Sequence, residues 1–166
     1  MGLVISDSST LIHLERIDRL ELLRSFYARI IITPAVWGEV VEQGKGRTGA
    51  AEVANAHDAG WIEVISPAED SLVRLLGRDL GDGEAEVIAL AVERHADLVL
   101  IDEWEARRIA DLYGLTKTGV VGILIRAKQE GEIDLLRTEL DRLRDAGQFW
   151  IEDRLYHQAL VAVREE

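Results

Sequence analysis

The sequence contains no cysteine. This excludes a disulfide framework and a thiolate metal site, so any bound metal ion would have oxygen ligands. The chain also has no apolar run approaching the roughly 20 residues that cross a bilayer, and its N-terminus lacks the basic and apolar segments of a signal peptide. We therefore predict a cytoplasmic protein with no membrane association.

Proline is scarce as well, with two residues in 166, and no proline-rich linker, internal repeat or low-complexity tract divides the chain. Hydrophobic residues make up 48% of the sequence, which is enough for a continuous core at this length. We predict a single domain that spans residues 1–166.

Cationic residues are outnumbered. The chain has 19 lysines and arginines against 31 aspartates and glutamates, which gives a formal net charge of -12. Because affinity for a phosphate backbone comes largely from lysine and arginine, this balance counts against a nucleic-acid substrate. Bound metal ions, a dimer groove or a local basic patch would have to offset it. Residues 44–49 form the most loop-like segment, with three glycines and two cations.

Short apolar runs predict five strands, at residues 3–6, 30–33, 61–65, 98–101 and 149–151. Helical patterns fill the intervals between them. Pro34 opens a predicted helix over residues 34–41, and another covers residues 83–95. A terminal helix over residues 154–164 has apolar side chains at Leu155, Ala159 and Val163. This alternation of strands and helices predicts an α/β protein with a parallel sheet covered on both faces.

Two aspartates follow predicted strands. Asp7 comes after the first strand and opens the segment Asp7-Ser8-Ser9-Thr10, and Asp102 closes the strand at 98–101. If these strands are neighbours, both side chains lie side by side at the carboxyl edge of the sheet, where open α/β folds hold ligands. A helix N-cap explains Asp7 equally well. Ser9 is placed to orient a ligand or water near Asp7, whereas a structural role is simpler for Thr10.

Two glutamates fall on the apolar faces of predicted helices. Glu39 belongs to the helix at 34–41 and Glu84 to the helix at 83–95. Glu86 points in nearly the opposite direction from Glu84, towards solvent, so the two cannot both be inner ligands. A simpler explanation for Glu39 is that it lies at the boundary of the apolar face and extends towards solvent. For Glu84 and Glu86, the simpler explanation is attraction to the positive end of the helix dipole.

Four carboxylates crowded into a partly dehydrated cleft repel one another, so such a cluster persists only if some protonate or a divalent cation joins them. Mg²⁺ and Mn²⁺ suit oxygen ligands. We interpret the cluster as a metal-dependent phosphodiesterase site formed by Asp7, Glu39, Glu84 and Asp102.

Two further residues lie close to Asp102 in the sequence. Glu103 is either an outer ligand or part of the acidic first turn of the next helix. Arg107 is within reach of a phosphate, although ionic support of Glu103 or Asp111 by Arg107 and its neighbour Arg108 is the simpler role.

Four segments together resemble a PIN-domain ribonuclease, and more narrowly the VapC-like toxins of prokaryotic type II toxin-antitoxin pairs. They are Ile5-Ser6-Asp7-Ser8-Ser9, Pro34-Ala35-Val36-Trp37-Gly38-Glu39-Val40, Gly83-Glu84-Ala85-Glu86-Val87-Ile88-Ala89-Leu90-Ala91 and Leu100-Ile101-Asp102-Glu103. The resemblance covers nearly the whole chain. It implies a three-layer α/β/α sandwich with about five central parallel strands, cleavage of single-stranded or structured RNA with Mg²⁺ or Mn²⁺, a homodimer, and inhibition by a small cognate antitoxin.

The resemblance also assigns positions. Asp7 takes the place of the family's first-strand aspartate, Glu39 that of its helix glutamate, and Asp102 that of the fourth acid. Glu84 occupies the third position, where other members commonly have aspartate. Both residue types coordinate a hard cation, but the extra methylene of glutamate moves the carboxylate and leaves Glu86 as a substitute ligand.

Two other functions are compatible with parts of this pattern. A phospho-receiver would use a strand-end aspartate with a threonine and a lysine, and Lys117 and Thr118 fit that composition. A receiver has no need, however, for glutamates on two separate helices. A PIN-like binding module that has lost turnover is the second alternative, which the acidic balance and the variant third acid allow.

Overall fold

A parallel sheet of five strands forms the centre of the structure, a computed structural model that describes residues 2–146 and 149–166. The spatial order of the strands is β3-β2-β1-β4-β5, where the bounds are β1 (Val4–Ser6), β2 (Ile30–Ile32), β3 (Ile62–Val64), β4 (Leu98–Leu100) and β5 (Lys117–Thr118). The first four strands lie inside the predicted segments. Every residue of β1 and β2 is buried, as expected for apolar strands covered on both faces.

The predicted strand at residues 149–151 is wrong. Those residues have no regular secondary structure, and the fifth strand is Lys117–Thr118, which pairs with Val99 and Leu100 of β4. A two-residue strand without an apolar side chain carries no periodic signal, because its pairing depends on the free edge of β4. Phe149 instead packs its ring against His13, with 4.4 Å between the ring centroids.

Helices cover both faces of the sheet, which confirms the three-layer α/β/α sandwich. On one face α1 packs against α4 and α8, and on the other α6 packs on β1 and β4 with α5 beside it. The helices of the described residues are α1 (Ser8–Arg16), α2 (Glu21–Tyr27), α3 (Pro34–Trp37), α4 (Thr48–Asp58), α5 (Asp70–Leu76), α6 (Asp82–Arg94), α7 (Trp104–Leu112), α8 (Val120–Gln129), α9 (Leu136–Asp145) and α10 (Asp153–Ala162). None of them combines the length and the apolar character that a bilayer crossing requires.

Helix ends follow the sequence signals closely in two places. Thr33 caps α3 by accepting a hydrogen bond from the Val36 amide, and Pro34 occupies the first turn, as predicted. The helix then continues as one π-helical turn, Gly38–Glu42. The terminal helix α10 packs on α8 and α9.

The predicted apolar face of α10 is only partly correct. Ala159 is buried, but Leu155 is 42% exposed, and Tyr156 and Leu160 fill the contact instead. The packing face is therefore rotated by about one residue from the predicted one.

The strand order reverses between β1 and β4, because the chain continues from β1 towards β2 on one side and from β4 towards β5 on the other. Ser6 lies opposite Leu100 in this pair, and the Asp7 amide donates to the Leu100 carbonyl at 2.9 Å. Asp7 and Asp102 therefore leave neighbouring strands at the same sheet edge, which confirms the predicted juxtaposition. Such a reversal is where open α/β sheets leave a crevice for a ligand.

Candidate active site

Asp7 combines both roles that the sequence allowed for it. It is the N-cap of α1, where its Oδ1 accepts a hydrogen bond from the Thr10 amide at 2.9 Å. Its Oδ2 faces the next strand and accepts from the Asp102 amide at 3.3 Å. Burial, followed by the negative charge of Asp102, raises the pKa of Asp7 from 3.8 to about 7. Near neutral pH this carboxyl group is therefore poised between its protonated and ionised forms.

Asp102 is held by two neutral donors. Its Oδ2 accepts from the Thr10 hydroxyl at 2.9 Å, and its Oδ1 accepts from the Val120 amide at 2.8 Å, at the start of α8. The side chain is half-buried. Asp102 thus joins the end of β4 to the N-terminus of α8, whose dipole favours the negative charge.

Thr10 and Gly119 are site residues that the sequence analysis missed. Thr10 donates through its amide to Asp7 and through its hydroxyl to Asp102, so one residue orients both carboxylates. A Cβ at position 119 would lie 2.4 Å from Asp102 Oδ1, so only glycine leaves room for this carboxylate. The available signal for Thr10 was its position three residues past a helix-capping aspartate.

Glu39 enters the site from the π-helical turn. The Ser8 hydroxyl donates to its Oε2 at 3.1 Å, whereas Oε1 is buried and has no hydrogen-bond partner among the described residues. Burial raises the pKa of Glu39, and the nearby Glu84 and Asp82 carboxylates add to the effect. Ser8, which directly follows Asp7 in the chain, connects this glutamate to the aspartate pair.

Gly83 sets how closely α6 approaches Glu39. A Cβ on Gly83 would lie 2.1 Å from Glu39 Oε1, so the absence of a side chain creates the space that this oxygen occupies. A steric requirement therefore explains why glycine precedes Glu84, and the sequence pattern alone did not reveal it.

Glu84 and Glu86 separate as helical geometry predicts. Glu84 is half-buried in the first turn of α6, and its charge acts on Glu39. Glu86 does not point into solvent, however. It is half-buried, and its Oε1 accepts from the Ala35 amide at 2.8 Å, in the first turn of α3. Glu86 therefore caps the start of α3. It is Glu84, on a different side of α6, whose charge acts on Glu39.

The remaining predicted positions lie at the margin of the site. Ser9 is half-buried on α1, between the two residues that contact the carboxylates. Glu103 is exposed at the N-cap of α7, so it opens the next helix as expected. Arg107 donates to the Ile101 carbonyl at 2.7 Å, directly beside Asp102.

The predicted ionic support of Glu103 or Asp111 by arginine is wrong. Arg108 pairs with Glu105 at 2.5 Å, one helical turn away, and Asp111 pairs with Lys117 of β5. The short distance along the helix favours Arg108–Glu105 over a partner in the preceding loop. The Asp111–Lys117 ion pair also bears on the receiver hypothesis. Lys117 is engaged with Asp111, whereas a receiver would need this lysine beside the aspartate at the strand end.

The four acidic residues form two pairs, Asp7 with Asp102 and Glu39 with Glu84. Within residues 2–146 and 149–166, no three carboxylate or imidazole side chains are grouped so that they could hold a metal ion together. Mg²⁺ typically keeps several waters and binds proteins through one or two carboxylates, so an aspartate pair suits it. The buried Glu39 Oε1, which lacks a hydrogen-bond donor among the described residues, and the raised pKa of Asp7 also fit a site that a hard cation stabilises.

The family model of a PIN domain (DUF3368) matches residues 3–165. This chain belongs to the PIN-domain family. PIN domains are generally nucleases and generally use divalent metal ions. Among solved structures, the chain is similar to a PilT N-terminus domain protein from the hyperthermophilic archaeon Sulfolobus solfataricus P2, with 15% identity over 75% of this chain and 93% of that one and a TM-score of 0.49. The search of curated proteins gave no match.

Proposed function

We propose that this PIN domain is an Mg²⁺- or Mn²⁺-dependent endoribonuclease that cleaves single-stranded or structured RNA. The observation that carries the proposal is the Asp7–Asp102 pair at the reversal of strand order, where burial and mutual repulsion raise the pKa of Asp7 to about 7. A pair of carboxylates held this close is stabilised by a cation that binds both.

Asp7 and Asp102 would bind the metal ion directly, and Glu39 and Glu84 would act on it through water molecules. A bound divalent cation supplies Lewis-acid activation of water and stabilises negative charge on the scissile phosphate. Thr10 keeps both aspartates oriented, since it donates to each. Glu39 lies beside the aspartate pair, and burial raises its pKa, which makes its carboxylate a stronger base.

RNA binding has to overcome the net charge of -12. Cationic side chains stand at both ends of the site: Arg16 and Arg47 line a cavity beside Glu39, and Arg107 lies beside Asp102. Trp104, two residues after Asp102, is 73% exposed and offers a flat surface for an unpaired base. These features support a single-stranded segment as the substrate and weak binding by the isolated chain.

We also propose that the protein is a cytoplasmic, homodimeric toxin. A small antitoxin protein would be its inhibitor. It is supported by the VapC-like sequence segments and by large apolar side chains exposed on α7 and α10, among them Leu112 and Val161. A short neighbouring reading frame whose product blocks RNA cleavage by this chain would support the role. A monomeric mass in light scattering would contradict the dimer.

Purified protein incubated with RNA tests the activity. We expect cleavage with Mg²⁺ or Mn²⁺, none in excess chelator, and none for Asp7→Asn. Asp111→Asn is the matched control, because Asp111 is an exposed aspartate paired with Lys117 outside the site. Cleavage that persists in chelator or survives Asp7→Asn would show that another site, or a contaminant, is responsible.

A further inference from the structure

The connection between α5 and α6, residues 77–81, lies at the same sheet edge as the candidate active site. Helix α6 leads directly into the start of β4, so it runs antiparallel to the strands and begins at their carboxyl edge. Its first residue is Asp82, whose charge contributes, after burial and Glu84, to the raised pKa of Glu39. The connection that leads to Asp82 therefore borders the acidic site.

A cavity of about 410 Å³ lies beside this connection, on the side of α6 that carries Glu86. Arg74 and Arg78, four residues apart, both line it. The two acids of the wall are engaged elsewhere. Glu86 accepts from the Ala35 amide, and Asp82 lies in the first turn of α6, where the helix dipole favours its charge. The two guanidinium groups are thus the cavity's available partners for an anion.

Both arginines are exposed, and neither side chain has an ion pair or a hydrogen bond among the residues that the structure describes. By contrast, Arg19, Arg126 and Arg142 each pair with a glutamate. Like charges four residues apart repel one another, and the chain's 31 acidic residues leave this pair without a partner. An anion that binds both guanidinium groups would remove the repulsion.

An exposed aromatic side chain lies between the aspartate pair and this cavity. Trp104 is 73% exposed and stands one helical turn before Arg108 on α7. The pKa of Arg108 is raised by its hydrogen bond to Glu105 and also by Asp79, so the α5–α6 connection lies next to α7. Single-stranded RNA offers both matching groups, since a base stacks on an indole ring and phosphates follow along the backbone. A free phosphate offers only one of them.

We propose that single-stranded RNA leaves the aspartate pair past Trp104 and crosses the α5–α6 connection, where Arg74 and Arg78 bind its backbone phosphates. The proposal rests on the proposed RNA substrate and extends it. The planar guanidinium fork matches phosphate oxygens, and contacts to the backbone position a strand without reading its sequence. The two arginines would supply part of the local positive charge that a chain with a net charge of -12 needs in order to bind RNA.

Fluorescence anisotropy of a labelled single-stranded RNA, with the purified chain in excess chelator, measures binding without cleavage. The logarithm of the affinity falls with the logarithm of the salt concentration, and each phosphate contact on a single strand contributes about 0.7 to the slope. The double variant Arg74→Ala/Arg78→Ala should lower the slope by about 1.4. This corresponds to about 25-fold weaker binding at about 0.1 M salt when both proteins bind equally at about 1 M.

A second pair of arginines provides the matched control. Arg94, in the last turn of α6, and Arg154, on α10, are exposed and have no ion pair among the described residues. The double variant Arg94→Ala/Arg154→Ala changes the net charge by the same amount and should keep the wild-type slope. Arg74→Lys/Arg78→Lys retains the charge and should recover most of the slope, which separates charge from any effect of the alanines on folding.

Four results would overturn the RNA path: no RNA binding by the wild type, an unchanged slope in Arg74→Ala/Arg78→Ala, an equal loss in the control variant, or displacement by phosphate. Inorganic phosphate, added against chloride of equal ionic strength, should not displace the strand. Displacement only from proteins that keep Arg74 and Arg78 would assign the cavity to a small anion. Arginine-dependent binding by a protein that cleaves no RNA would contradict the nuclease function alone, whereas cleavage with an unchanged slope would contradict the path alone.

Discussion

Replacing Asp7 by asparagine should make the metal-free protein more stable while it abolishes activity. Asp7 is 1% exposed, and its pKa is raised from 3.8 to about 7 mainly by burial. Between these two pH values the native state holds a proton that the unfolded chain has released, so the stability of the wild type falls as pH rises and levels off above about 7. At about 1.4 kcal/mol per pH unit, the loss amounts to about 4 kcal/mol.

Asparagine removes this penalty but not the whole of the local hydrogen bonding. Its side-chain oxygen can still accept from the Thr10 amide, since asparagine caps helices as well as aspartate does. Its amide group cannot accept from the Asp102 amide, which costs about 1–2 kcal/mol. The net gain at pH 8 is about 2 kcal/mol, or roughly 4–8 °C in Tm for a chain of this size.

Thermal unfolding in chelator at pH 5 and pH 8 measures the effect. Glu15 titrates in the same window with the same sign, because its pKa is also raised to about 7, so both proteins should carry Glu15→Gln. The Glu15→Gln protein that retains Asp7 should lose stability between pH 5 and pH 8. The stability of the protein that carries both Glu15→Gln and Asp7→Asn should change much less. A variant that is less stable at pH 8, or one with an unchanged pH slope, would refute the argument that burial of an ionised Asp7 strains the native state.

Three further outcomes follow from the same geometry. Mg²⁺ at pH 8 should raise the Tm of the wild type but not that of Asp7→Asn, and equal shifts would place the ion elsewhere. Glu84→Gln should reduce RNA cleavage more than tenfold, whereas Glu86→Gln, which alters a capping residue, should retain it; the reverse ranking in a single-turnover assay would identify Glu86 as the ligand. Thr10→Val removes the hydroxyl donor of Asp102, so we expect a loss of about 1 kcal/mol in urea unfolding together with weaker Mn²⁺ binding by calorimetry.

Most of the sheet could be predicted because its central strands are short apolar runs with clear boundaries. Ile30–Ile32 and Leu98–Leu100 can be recognised without knowledge of their neighbours, since burial on both faces demands apolar side chains. Lys117–Thr118 could not be recognised, because an edge strand of two residues is defined by its partner. The apolar segment at 149–151 misled the prediction, since an apolar run records burial and not the type of backbone.

The acidic residues of the site could be predicted from the sequence for a similar reason. A carboxylate on an apolar face or at a strand end departs from the local pattern, and both aspartates proved to be neighbours. The neutral residues around them could not be predicted. Thr10 and Gly119 gain their roles only when α1 and α8 meet at the end of β4, and a threonine or a glycine fits many local patterns.

The choice of neutral donors has a consequence for cation binding. Asp7 and Asp102 are held by the Thr10 amide and hydroxyl and by the amides of Asp102 and Val120, which orient the oxygens without cancelling their charge. An arginine in their place would have to be displaced before a divalent ion could bind, and this would weaken affinity. Arg107 donates instead to the carbonyl of Ile101, one residue before Asp102. The negative charge of the pair is thus preserved for a cation, while the adjacent guanidinium remains within reach of a phosphate.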